Sequence, residues 1–170
     1  RNHSSAASDV YKRQALKRRE VYATSGTRIK LRLRQTFASD TTCDTPLNNS
    51  TPMGGSLGNH TEKQQPTFII ETMQDATPIA AVDLIKLSQR NGAVQQQVLR
   101  LGDYPTGQAS SCITWTDRDY NKGDVALWYV RVLEQPSQRW DQKNQVVERA
   151  WSSPIWSLTA PMPDRSGPER

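Results

Sequence analysis

Residues 126–134, Ala-Leu-Trp-Tyr-Val-Arg-Val-Leu-Glu, constrain the fold more than any other stretch of this 170-residue chain. The run is aromatic and β-branched, with Gly123-Asp124 before it and Pro136-Ser137 after it, which is the composition and punctuation of a strand. Alternation puts Trp128, Val130 and Val132 on one face and Tyr129, Arg131 and Leu133 on the other. One face is wholly apolar and the other mixed, so the run reads as an inner strand.

Other segments repeat that signal. Residues 27–37 alternate Ile29, Leu31 and Leu33 inward with Arg28, Lys30, Arg32 and Arg34 outward, a half-buried strand with a solvated, cationic outer face. Residues 66–73 and 111–116 read as further strands, and 80–88 with 93–101 as a hairpin turned by Asn91-Gly92. A last strand spans about 149–157, where Pro154 demands an edge or a bulge. Residues 38–65 read as a long polar loop with a short extended piece near 53–57, and Trp140 as a loop anchor. About seven short strands without an internal helix predict an all-β chain, an antiparallel β-sandwich of immunoglobulin-like architecture.

The start of the chain reads differently. Residues 4–14, Ser-Ser-Ala-Ala-Ser-Asp-Val-Tyr-Lys-Arg-Gln, match the in-frame translation of a transposon-end sequencing adapter, so residues 1–14 are set aside from fold reasoning. That match implies a reading frame from a short sequencing contig and a longer natural protein. Residues 15–26 then form the end of a helix and a bend at Ser25-Gly26, 27–158 the sandwich domain, and 159–170 a disordered tail. Setting aside Arg1, Lys12, Arg13 and Asp9 lowers the formal charge from +5 to +3, which gives no argument for nucleic acid. No apolar run approaches the roughly 20 residues of a membrane span.

Chemistry-bearing residues are sparse. His60 is the one histidine outside the first fourteen residues, and it sits in a polar loop, expected as a solvent-exposed imidazole. One histidine cannot supply a triad or a polynuclear metal centre. Asp117, Asp119 and Asp124 lack the loop and closing glutamate of a calcium site, and read as turn carboxylates. Cys43 and Cys112 are compatible with one disulfide in an exported protein, or with a loop thiol and a buried strand thiol; spacing decides neither.

Five segments carry a family resemblance. They are residues 15–29, Pro52-Met53-Gly54-Gly55, Trp128-Tyr129-Val130-Arg131-Val132-Leu133-Glu134, Pro136-Ser137-Gln138-Arg139-Trp140, and residues 148–156. In order and spacing they resemble a bacterial family called domain of unknown function 3604. Gln138 stands where many relatives carry Cys or Pro. The resemblance implies an intact protein with a metal-dependent barrel of the polymerase-and-histidinol-phosphatase (PHP) type. Such barrels hydrolyse phosphoesters and, in related branches, amide, carbamate or ester bonds. It places the metal ligands upstream of Ala15, so divalent metals belong to the barrel and no cofactor to this fragment.

The fragment is then an accessory sandwich whose partner is the barrel of the same chain, with no catalytic or metal-binding residue of its own. Periplasmic or secreted placement is compatible with it. The residues nearest a substrate would be Thr24, Ser25 and Arg28 on the barrel-leaving bend, where two hydroxyls and a guanidinium suit an anionic or carbonyl group. A turn with a strand-start cation explains the same residues. Two other readings compete: a stand-alone module that binds glycan or protein through an exposed row of tryptophans, and a nucleic-acid binder using Arg28, Lys30, Arg32 and Arg34.

Overall fold

A computed structural model describes residues 3–90, 92–138 and 143–157. Asn91 of the hairpin turn, Arg139, Trp140 and the tail 159–170 lie outside the described residues. Helix α1 (His3–Arg18) leads into β1 (Tyr22–Thr24), β2 (Lys30–Thr36), β3 (Thr51–Pro52), β4 (Thr67–Met73), β5 (Ile79–Arg90) and β6 (Ala93–Gln108). There follow β7 (Ser110–Thr116), β8 (Val125–Glu134), β9 (Ser137–Gln138), β10 (Gln145–Val146), β11 (Arg149–Ser152) and β12 (Ile155–Trp156). The larger sheet runs β1-β11-β8-β5-β6, with β12 also on β8; the smaller runs β3-β2-β4-β7, and β9 pairs with β10. Every pairing between these strands is antiparallel.

The two sheets enclose one core, as the alternation in β8 requires. Ala126, Trp128, Val130, Val132 and Glu134 are buried while the intervening residues are half-exposed. Across the gap stand Leu31 and Leu33 of β2 and Phe68 and Ile70 of β4. The Trp128 ring lies 5.1 Å from that of Phe68 and meets Tyr120 edge-on at 5.4 Å, so one side chain joins both sheets to the 117–124 turn. Truncating it to alanine costs about 3–5 kcal/mol.

Where the elements depart from the sequence reading, the causes are local. Helix α1 begins at His3 and runs through the residues set aside as adapter-like. The strand expected over 149–157 is two strands, because Ser153 and Pro154 leave the ladder and Gly54 N–H donates to the Pro154 carbonyl instead. Arg34 is not solvated: it is buried beneath the 38–50 loop, its guanidinium donating to Glu71, to Ser50 and to the Thr45 and Cys43 carbonyls. Arg28, Lys30 and Arg32 are exposed as expected. Cys43 and Cys112 form a disulfide with Cα atoms 6.1 Å apart, resolving the open choice and tying that loop across β7.

Candidate functional site

The candidate site is built where α1 enters the sandwich. The helix stops at Arg19, whose φ of 59° turns the chain out of the helix. Gly54, at φ 85°, sits directly against this exit: a Cβ there would lie 2.2 Å from the Arg19 carbonyl oxygen. Four backbone bonds close the region, from Ser153 to Val21, Gly54 to Pro154, Trp156 to Gly55 and Leu57 to Trp156. Beside it opens a groove of about 940 Å³ on the outer face of the smaller sheet, with Tyr22, Leu47 and Met73 among its walls. All three are exposed large apolar side chains.

The bend that follows holds the three residues expected nearest a substrate, and each has a structural partner. Thr24 is half-buried in the β1–β11 ladder opposite Ala150. Ser25 Oγ donates to Glu148 Oε2 and accepts the Arg149 N–H at 2.8 Å. The Arg28 backbone N–H donates to Asp75 Oδ2 at 3.0 Å, while its guanidinium makes no ion pair among the described residues. The structure brings the three together on one bend and leaves only Arg28 with an open charged head.

Behind the bend lies Glu134, at the end of β8. It is buried, accepts the Thr27 hydroxyl at 2.7 Å through Oε2, and has no partner for Oε1. Burial raises its pKa above the ordinary 4.5; the Thr27 hydroxyl and the Asp75 backbone oppose that, and the Asp75 and Glu148 charges add to it. The site therefore presents a carboxyl held toward its neutral form.

The remaining candidates are committed elsewhere. His60 is half-buried rather than solvent-exposed: its ring stacks on Phe37 at 4.3 Å and Nδ1 bonds the Gly58 carbonyl oxygen at 2.8 Å. Asp117 is buried in an ion pair with Lys86. Asp124 accepts the Asn121 N–H as a turn carboxylate does. Among the described residues no three His, Cys, Asp or Glu side chains form a group able to hold a metal ion, so these residues do not fit a metal centre. Among the described residues no helix is long and apolar enough to cross a membrane.

Sequence reasoning missed the outer face of the larger sheet. Asp83 is buried there between two cross-strand neighbours, Arg100 of β6 and Arg131 of β8, and takes the guanidinium of each. A carboxylate inside an apolar strand, Ala-Val-Asp-Leu-Ile, was the available signal, since such a charge requires paired cations.

Fold and site together define an antiparallel β-sandwich domain whose entry helix is fixed by a glycine-containing turn. The family described as "Protein of unknown function (DUF3604)" matches residues 8–103 and 101–159, and the chain belongs to it. The match begins inside the adapter-like residues 4–14. No curated protein and no solved structure matches the chain.

Proposed function

We propose that this chain is the accessory C-terminal β-sandwich of a larger PHP-type metal-dependent hydrolase, bracing the catalytic barrel and taking no direct part in bond cleavage. The observation that carries the reading is the convergence at the α1 exit. Segments that resemble the family, residues 15–29, Pro52 to Gly55 and 148–156, meet there through backbone bonds and the Gly54–Arg19 contact. Those residues fix the direction of a helix, which is what a junction between domains needs. The exposed Arg28 guanidinium, which makes no ion pair among the described residues, supports a contact with an anionic or carbonyl group across that junction. We also infer that residues 4–14 derive from an adapter, which a longer contig across that position tests directly.

The functional test compares this chain with a longer reading frame that includes the upstream barrel. Both are assayed on p-nitrophenyl phosphate and p-nitrophenyl acetate with added Mn²⁺ or Zn²⁺. Hydrolysis is expected of the longer protein alone. A folded longer protein without metal-stimulated hydrolysis of either ester overturns the proposal.

One observation favours the second reading, a binding module. Trp151 and Trp156 are half-buried rather than buried, and with Tyr129 they fall on the outer face of the larger sheet by their register on β8. Glycan affinity lost on Trp151→Ala would support this reading over the first.

A further inference from the structure

The geometry points to the first half of β6 as a self-association edge, through which two copies of this chain join their larger sheets across a two-fold axis. β6 is the last strand of its sheet, and it is 16 residues long against a usual strand of about five or six. Residues 93–98 are all exposed. No described strand pairs with them on the side away from β5, so a row of backbone donors and acceptors faces outward.

The protective devices of an edge strand are confined to the other half of β6. From Arg100 onward it carries Arg100 and Asp103, a register shift against Val82 and Asp83, and Pro105. Charge, bulge and proline each oppose edge pairing. From Ala93 to Leu99 there is no charged residue and no proline. An edge guarded over half its length and open over the rest is the pattern of a selective contact.

The occupant follows from the sequence of the open half. Val94-Gln95-Gln96-Gln97-Val98 reads the same in both directions about Gln96. Antiparallel pairing of two copies centred there sets Gln96 against Gln96, each Val94 against a Val98, and each Gln95 against a Gln97. Directly opposed residues share a face, so both valine pairs lie on the outer face, where Val94 is 73 % and Val98 51 % exposed. That face continues inward through Ile85 and Tyr129 in register with Val98, and through Val125, 46 % exposed, in the row of Val94. Pairing thus buries apolar surface that each copy exposes, with no like charges opposed.

The experiment uses the full chain and does not depend on the proposed enzymatic role. Sedimentation equilibrium from about 1 to 100 µM is expected to show a monomer–dimer equilibrium. Val98→Lys is expected to weaken it at least about tenfold while circular dichroism and the urea midpoint stay unchanged. Gln96→Cys is expected to form a disulfide-linked dimer on mild oxidation, because opposed Cα atoms about 4.5–5.5 Å apart lie within disulfide range. A monomer at every concentration overturns the inference. So does a dimer in which Gln96→Cys fails to cross-link, because that dimer uses another surface. Should Val98→Lys perturb folding, the cross-link decides alone.

Discussion

The Lys86 ammonium lies 2.6 Å from Oδ2 of Asp117, and both residues are buried. The Trp128 indole N–H donates to the same oxygen at 2.8 Å, with the ammonium 6.0 Å from the indole ring. The central tryptophan of the core is thus held by a buried charge pair that spans β5 and the turn after β7. Replacing Asp117 with leucine strands the ammonium and orphans the indole, and is expected to cost about 3–5 kcal/mol. Adding Lys86→Met removes the stranded charge and should leave only the indole's unmet bond, about 1–3 kcal/mol. Urea denaturation of the single and double variants checks this. Equal losses in both would show that the charge pair is not the cause.

The Cys43–Cys112 disulfide closes a separation of 69 residues. A loop of that size corresponds to about 4 kcal/mol of denatured-state restriction. The Cys43→Ser, Cys112→Ser double variant is therefore expected to unfold at a markedly lower urea midpoint, with Arg34 still fixing the loop through Thr45. Reducing the parent protein with dithiothreitol should reproduce the shift. An unchanged midpoint would mean that the Arg34 contacts alone secure the loop.

Strand periodicity made most of the fold legible, because a period of two reports burial directly: Leu31, Leu33, Trp128, Val130 and Val132 all face the core. What it could not report was long-range polar pairing. Arg34 carries the same alternation as Arg32, yet only Arg34 lies under the disulfide-tied loop. Lys86 sits where an apolar residue is expected, and its partner is 31 positions away in a turn that reads as ordinary surface. At the candidate site, Ser25-Gly26 reads as a bend in the sequence and is one in the fold, between Thr24 of β1 and Arg28. Glu134 was missed as a buried acid because the end of a strand ordinarily meets water.

Glu134 gives the sandwich a pH dependence of definite sign. Its pKa is raised in the folded protein by burial first, with Asp75 and Glu148 adding to the shift. The native state therefore binds more protons than the unfolded chain between the ordinary value of 4.5 and the raised one. Its contribution to stability is present at low pH and is lost as pH rises through that window. Glu134→Gln keeps an acceptor for Thr27 and carries no charge, so it should be more stable than the parent at pH 7 and should flatten this part of the profile. Urea midpoints from pH 4 to pH 8, taken for both proteins, measure the difference. A parallel pair of profiles would rule Glu134 out as the source.

Arg28 separates the functional role proposed for the bend from its structural one. Its backbone N–H, not its guanidinium, bonds Asp75, so Arg28→Ala should leave the urea midpoint within about 0.5 kcal/mol of the parent. In the longer, barrel-containing protein proposed above, the same change is expected to raise KM for a phosphoester several-fold with kcat little altered, the pattern of lost ground-state binding. Unchanged kinetics would remove Arg28 from the site.

Gly54 is the most constrained position at the helix exit. Its φ of 85° disfavours any side chain, and a Cβ would meet backbone atoms of Arg19 at 2.2 and 2.4 Å. Those contacts are backbone, so no side-chain rotation relieves them, and either α1 or the turn must move. Gly54→Ala is expected to destabilise the protein by about 1–3 kcal/mol, and moving the turn would loosen the Gly54–Pro154 bond that separates β11 from β12. Hydrogen exchange of the Gly54 and Trp156 amides should then accelerate together while the β8 amides stay protected. If exchange rises uniformly instead, the glycine serves the whole sandwich and not the junction, and the bracing role proposed for this region loses its main support.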